Sequence, residues 1–405
     1  MDLSYSPEYE RFRATVRSFL DQAWTDADRE SAGEEKVIGG IRKPTAAETR
    51  FRLAAIEEGY LYRDVPRAFG GSEQPFDPFK EAILREEFKR AKAPREMIGQ
   101  GASMLAPTLL EHGTPAQKEQ FVRSTLMGEI LWCQGYSEPG AGSDLASLRT
   151  RGELDGDHWV VNGQKIWTSN ANEAEWMFCL VRTEPDAAKH DGISYLLIDM
   201  KTPGIDVRPL RQMTGEADFS EVFLENVRVP KDSIVGKRGE GWRISRSTLK
   251  HERAFIGGTD FVRRTFDGLV LLAQFTNLRG RPAIEEPVIR DRLVQLETRL
   301  LAAEYNGYRL LSAQARGRET GLAGMVTKHN TSQLMYDLGL LAMDVMGDRG
   351  ALANGEPSAP FAGMFVNAYM WAFGMLIGGG TANIQRNVIS ERGLGLPRAG
   401  AAKRE

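Results

Sequence analysis

The sequence predicts an α+β fold, mostly helical, with a sheet domain lying between two helical domains. Three observations carry this expectation. Apolar residues recur at helical spacing up to about residue 131; from 132 to 238 the period falls toward two and turn dipeptides appear; from 239 the helical period returns and holds almost to the end. At 405 residues the chain is long enough for two to three packed domains.

In the first zone, 1–131, the helical signal is read from Phe12, Val16, Phe19 and Leu20, and again from Leu53, Ile56 and Tyr60. Breaks fall at Gly70-Gly71, Pro94 and His112-Gly113. In the second zone, 132–238, Asp155-Gly156 and Asn162-Gly163 read as two-residue turns on either side of a strand at 158–161. Further β-rich runs at 176–181, 193–198, 205–210 and 220–229 predict a compact barrel or sandwich. The third zone, 239–405, offers apolar-faced helical segments at 242–278, 287–316, 322–346, 361–377 and 384–392. No internal repeat or low-complexity linker interrupts this order.

Composition narrows the function. A net charge of −3 argues against a nucleic-acid partner, which calls for a basic excess. Two cysteines, Cys133 and Cys179, both in apolar segments, argue against a disulfide scaffold or a thiolate metal site. The five histidines show no metal-ligand spacing and no hydrolase triad order. The opening MDLSYSPEYERF has neither a basic, apolar signal pattern nor an Arg-rich one, so a cytoplasmic chain is expected. The stretch 361–378 approaches membrane-span length but lacks basic flanks, and is expected to be a buried helix.

Four runs can carry chemistry. Gln134 to Asp144 reads QGYSEPGAGSD: small residues after a proline leave backbone N–H groups open to a ligand, and Ser137 and Ser143 add hydroxyls. A plain turn is the alternative. Lys165 to Asn170 reads KIWTSN, setting an aromatic beside hydroxyls in a way that suits a planar, hydrogen-bonding ring, or simply a core tryptophan. Gly378-Gly379-Gly380-Thr381 leads into a helical pattern with Thr381 as N-cap, a reasonable anion or cofactor end or a glycine-rich junction. In Leu249-Lys250-His251-Glu252-Arg253, Trp242, Leu249 and Ile256 share a helix face and Glu252 projects within about 60° of it. A core-directed carboxylate is costly unless paired or functional, so Glu252 is a base, half of a structural pair with an arginine, or on a helix face turned to solvent after all.

Together, in this order and over essentially the whole chain, the runs resemble the acyl-CoA dehydrogenase family. YSEPGAGSD is similar to its flavin signature, NGQKIWTSNA to the segment that follows, FSEVFLENVRVP with GKRGEGW to the end of its β domain, and GGGTANIQRNVISERGLGLP to its C-terminal signature. The resemblance implies a helical N-terminal domain, a central β domain and a C-terminal four-helix bundle, as a homotetramer or an α2β2 heterotetramer. It implies FAD lined by Tyr136, Ser137, Gly142, Ser143, Trp167 and Ser169, with Thr381 and Asn383 approaching from the C-terminal segment. It also implies an acyl-CoA substrate and an electron-transfer flavoprotein as electron acceptor.

The base departs from the commonest pattern. Many members place it immediately before the GT of the last signature, where this chain has Gly379. The isovaleryl and long-chain branches carry it on the first helix of the C-terminal domain in a Glu-Arg pair, and Glu252-Arg253 matches. By that carry-over Glu252 removes the α proton, Arg253 and Ser143 contact the substrate, and the Gly379 backbone N–H binds the thioester carbonyl. A second departure lies at Phe275 to Pro282, where the family's Arg-x-x-Phe-Gly segment is lost, and at Asp344 to Asp348, where a Gln-x-x-Gly-Gly is often found. Similar losses occur in bacterial branches acting on steroid or other bulky acyl-CoAs.

Overall fold

The computed structural model describes residues 5–32, 42–256, 258–352 and 355–398, with backbone alone for 253–256. They fall into two compact units, Met1–Arg211 with Ala217–His251, and Gln212–Glu216 with Glu252–Glu405.

The first unit opens with helices α1 (Pro7–Ala23), α2 (Asp26–Ser31), α3 (Ala46–Glu57), α4 (Pro78–Ala91), α5 (Ala106–His112) and α6 (Pro115–Leu126). Their starts are written into the sequence. Thr25, Thr45 and Thr114 each cap a helix by accepting from the N–H of the residue three on, and each donates its own N–H back to that residue's side chain, while Asp77 caps α4. A sheet follows, built of β1 (Trp132–Gly135), β2 (Arg151–Asp155), β3 (His158–Ser169), β4 (Trp176–Arg182), β5 (Ile193–Asp199), β6 (Ile205–Leu210), β7 (Phe219–Pro230) and β8 (Ile234–Val235). Its order is β6-β7-β3-β2-β4-β5-β8, with β1 parallel to β4. Phe178 and Leu180 of β4 join the core formed with the helices, whereas Met177, Cys179 and Val181 join a second core on the other face. Burial on both faces is why 176–181 reads as an unbroken apolar run.

One predicted turn is a strand interior. Asp155-Gly156 does tip the β2–β3 hairpin, with Gly156 at φ +62°. Asn162-Gly163, however, lies inside β3 at a register shift against β7. A Cβ at Gly163 would meet Thr150 Oγ1 at 2.4 Å, so glycine is required there by a close approach and a bulge rather than by a turn.

Helix α7 (Gly241–Ile256) begins in the first unit, and its last residues, from Glu252, belong to the second. The second unit continues with α8 (Asp260–Phe275), a short hairpin of β9 (Asn277–Leu278) and β10 (Arg281–Pro282), α9 (Pro287–Ala315), α10 (Gly321–Met346), α11 (Met364–Ile377) and α12 (Ala382–Val388). Leu269, Leu296, Leu338, Leu341 and Phe365 share its core. The α10 and α11 backbones pack closely: a Cβ at Gly339 would meet Tyr369 Cα at 2.8 Å.

Among the described residues, one segment, Pro360–Ile377, is long and apolar enough to cross a membrane, and 28% of it is buried. The sequence led us to expect a buried helix; it is only partly so, with Phe365, Val366, Ala368 and Ala372 inward and Ile377 66% exposed. Its regular α part is 14 residues, roughly 21 Å at 1.5 Å per residue, against about 30 Å for a hydrocarbon core.

Candidate functional site

In the first unit a single side chain ties two of the sequence runs together. Lys165 on β3 is fully buried, and its ammonium donates to Tyr136 O at 3.3 Å, Glu138 Oε1 at 2.8 Å and Leu180 O at 2.8 Å. Three acceptors, one of them a carboxylate, offset the cost of burying the charge. Glu138 accepts in turn from the N–H groups of Arg149 at 2.6 Å and Thr150 at 2.9 Å. Burial alone would push its carboxyl up; the Lys165 charge and these bonds outweigh that and hold it below its ordinary value. The Ile166 N–H completes the tie by donating to Ser137 O at 2.9 Å.

That network fixes one side of the 134–144 loop and leaves the other open. A Cβ at Gly140 or Gly142 would meet nothing within 4 Å, and Ser143 is exposed while Ser137 is half-buried. The Tyr136 ring turns inward instead, edge-on to Phe178 and Tyr195, so that side chain belongs to the core. Trp167 does the opposite. It is 59% exposed on backbone at φ +58°, beside the register shift that separates Lys165 from Thr168, and it meets Phe219 edge-to-face at 6.2 Å. A bulky residue in the left-handed region costs on the order of 1–2 kcal/mol, and such strain gathers at functional sites. Ser169 is half-buried at the end of β3. Thr168 pairs with Ser220 across the sheet, and both hydroxyls are buried without a partner among the described residues. An exposed indole, an open glycine loop and orphaned hydroxyls fit a planar ring system with a hydrogen-bonding edge, as the isoalloxazine of FAD has.

In the second unit lies the sequence's candidate base, Glu252. The most buried face of α7 runs through Ile244, Ser245 and Thr248, the last bonded to Thr108 at 3.0 Å within the first unit. Glu252 lies four residues beyond Thr248, in line with that face, and is half-buried. The stripe expected from Trp242 and Leu249 is therefore corrected: both are only half-buried, and the buried face is rotated toward Glu252. The side chain of Arg253 lies outside the described residues.

The glycine run also takes a defined form. Gly379 at φ +62° and Gly380 at φ +93° both occupy the left-handed region, where a glutamate at 379 would be strained. Both carbonyls are held by buried side chains: Gly379 O accepts from Gln385 Nε2 at 3.1 Å, and Gly380 O from Lys328 Nζ at 2.7 Å. Among the described residues neither glycine N–H meets an acceptor. Thr381 caps α12 by accepting from the Ile384 N–H, as expected, and Asn383 is exposed, accepting from Arg386.

Sequence reasoning missed Lys328. It is 2% exposed on α10, and burial pushes its pKa down to about 8 against the opposing pull of the Glu252 charge. His329 beside it is lowered too, by burial and then by the Arg386 and Lys328 charges, and its Nδ1 is buried without a partner among the described residues. The signal was present: Lys328 falls on the stripe of Thr331, Met335, Leu338 and Ala342, all buried.

The Phe275 to Pro282 departure resolves into a tight hairpin, its Arg279 and Gly280 at φ +53° and +85° as a two-residue type I′ turn requires, with Phe275 81% exposed.

Models of the acyl-CoA dehydrogenase N-terminal, middle and C-terminal domains match residues 6–129, 133–227 and 239–394. The chain belongs to the acyl-CoA dehydrogenase family, and it is an oxidoreductase. Among its relatives, acyl-CoA dehydrogenase IpdE1 of Mycobacterium tuberculosis is 39% identical over 402 residues, covering 96% of this chain and 98% of that one. Acyl-CoA dehydrogenase FadE34 of the same organism is 38% identical over 372 residues, 89% of this chain but 49% of that protein. Similar solved structures include the ChsE4-ChsE5 complex from Mycobacterium tuberculosis, with TM-score 0.78 and 30% identity over 98% of this chain and 100% of that one. The Tcur3481-Tcur3483 steroid ACAD follows at TM-score 0.77 and 28% identity, again over 98% and 100%.

Proposed function

We propose that this chain catalyses the α,β-dehydrogenation of an acyl-CoA thioester to the trans-2-enoyl-CoA, with Glu252 as the base. The observation that carries the reading is the grouping in the second unit of a half-buried carboxylate, a buried lysine and a glycine turn with open N–H groups. Glu252 takes the proton from the α carbon. The Gly379 N–H donates to the thioester carbonyl, where negative charge develops as that proton leaves, and a backbone donor needs no side chain for this. Arg253 and Ser143 contact the substrate. When bound, FAD would supply the acceptor for the hydride from the β carbon. Ser137, Gly142, Ser143, Trp167 and Ser169 would hold that cofactor, with Tyr136 packed behind the loop, and Thr381 and Asn383 are further candidates for it.

The substrate in this reading is bulky, with a steroid-derived acyl chain favoured by the steroid ACAD among the similar structures. Electrons pass to an electron-transfer flavoprotein, and the enzyme works in the cytoplasm as an oligomer. Working domain limits are 1–131, 132–238 and 239–405. Purified protein should show a flavin spectrum, and Glu252→Gln should keep that spectrum while losing dye-coupled acyl-CoA oxidation. Full turnover in the variant would end this assignment.

A second reading has its own support. Two of the similar structures are named for two chains, and FadE34 is matched over only half its length. The chain would then be one subunit of an α2β2 enzyme, with the β9–β10 hairpin standing where the family's FAD-reaching segment is lost. Colourless, inactive protein that gains both flavin and activity on adding a related chain would favour it. A monooxygenase on the same fold has no observation in its favour beyond the shared architecture.

A further inference from the structure

Resting on the reading of Glu252 as the base, we propose that Glu111 is a positioning residue for it. The Glu111 carboxylate, bonded to both Ser247 and His251, sets the roll of α7 about its axis at the residue that precedes Glu252.

These bonds lie wholly within the first unit. Glu111 stands in the last turn of α5, where the helix dipole disfavours a carboxylate, so its placement gains α5 nothing. What it gains is on α7. Ser247 Oγ donates to Glu111 Oε2, and His251 Nε2 lies 3.3 Å from Glu111 Oε1, so one carboxylate takes two side chains that are neighbours along the helix face. His112 Nε2 stands 3.5 Å from Glu111 Oε2 on the α5 side. Burial alone would push the Glu111 carboxyl up; the Ser247 and His251 bonds outweigh that and hold it below its ordinary value.

Beneath this clasp is a pivot. Thr248 is fully buried, its Oγ1 3.0 Å from Thr108 Oγ1 and 3.4 Å from the Tyr195 hydroxyl. A contact on the buried line of a helix fixes its distance from its neighbour but leaves its roll loose. By helical spacing His251 and Ser247 lie about 60° and 100° to one side of Thr248, and Glu252 about 40° to the other. A roll set on the first flank is carried to the second by the helix itself. His251 is the last residue of the first unit, and Glu252 follows it in the same helix. At about 5–6 Å from the axis, a roll of about 10° displaces a side-chain end by about 1 Å. A misplacement of that size in a reacting group costs up to about 10²-fold in rate.

The purified flavoprotein is compared with three variants. Glu111→Leu removes both bonds, Glu111→Gln keeps an amide oxygen for Ser247, and the double variant Ser247→Ala/His251→Leu removes the donors instead. The Glu111 side chain is 45% exposed, so replacing it leaves the core closed. Amide exchange over 247–252 is followed by mass spectrometry. Dye-coupled turnover is measured with butyryl-, octanoyl- and cholyl-CoA, using the one that the wild type oxidises fastest. In Glu111→Leu exchange should quicken by about five- to tenfold, and kcat should fall by about tenfold with KM and Tm nearly unchanged. Glu111→Gln should recover most of that kcat. Adding Glu111→Leu to the double variant should change nothing further, because both bonds are already gone. Unchanged exchange in Glu111→Leu, or a kcat that holds or falls only in step with Tm, would overturn the proposal. If Glu252→Gln retains full turnover, the assignment of the base has failed instead, and the exchange measurement still decides whether Glu111 holds α7.

Discussion

Each unit of this molecule buries a lysine, and the two lysines are treated differently. Lys165 meets three acceptors, one of them the Glu138 carboxylate, which is itself anchored by two backbone N–H groups. Lys328 is bonded to one carbonyl, its pKa pulled down to about 8, with Glu252 acting from a distance and His329 Nδ1 lacking a partner among the described residues. A saturated network is rigid and fixes a platform, whereas a partly satisfied one stays responsive to protons and ligand. The contrast teaches that a buried cation can serve as scaffold or as tuning element, depending on how many acceptors it is given.

The comparison is most severely tested at Glu252. Replacing it with glutamine should lower kcat by about 10²–10⁴-fold, the usual span for general-base catalysis, while thermal unfolding stays nearly unchanged. An equal loss of stability would make it a structural residue like Glu138. Next comes Lys165→Met, which leaves Glu138 buried without its counter-charge and should cost about 3–5 kcal/mol in a urea titration. Weakened flavin retention should accompany that loss, because the tie between the 134–144 loop and β3 is gone.

The third test uses pH. The Lys328 pKa is depressed on folding, so between its ordinary value of 10.5 and about 8 the unfolded chain binds more protons than the folded one. Wild-type stability should therefore rise with pH across that window relative to Lys328→Met, by about 3 kcal/mol in all, and the difference should flatten below about pH 8. A pH-independent difference would place Lys328 with Lys165 as scaffold. The smallest effect is expected from Gly380→Ala, which forces a side chain into the left-handed region and toward Gln385 Nε2 at 2.6 Å. It should cost about 1–2 kcal/mol, read as a modest fall in Tm with a disproportionate fall in kcat.

What was legible in the sequence depended on how local its cause was. The order of helical and sheet zones, the Thr381 cap and the β4 and β5 runs follow from neighbours in the chain, and the structure has them as expected. Asn162-Gly163 looked like a turn because its need for glycine comes from Thr150, across the sheet. Glu252 was visible from its spacing, though the face it joins was misjudged because Ser245 and Thr248, polar in type, are fully buried. Lys328 was legible only as a cation on the stripe of Thr331 and Met335; its partner, Gly380, lies 52 residues away, so the bond itself was not.

Trp167, finally, marks where selection for durability and for use would part. Its left-handed backbone is cheaper for glycine, so Trp167→Gly relieves strain that the native chain carries and removes a largely exposed indole. A laboratory evolution campaign scored on heat resistance alone would be drawn to that substitution. It would enrich sturdier proteins stripped of the ring proposed to line the flavin.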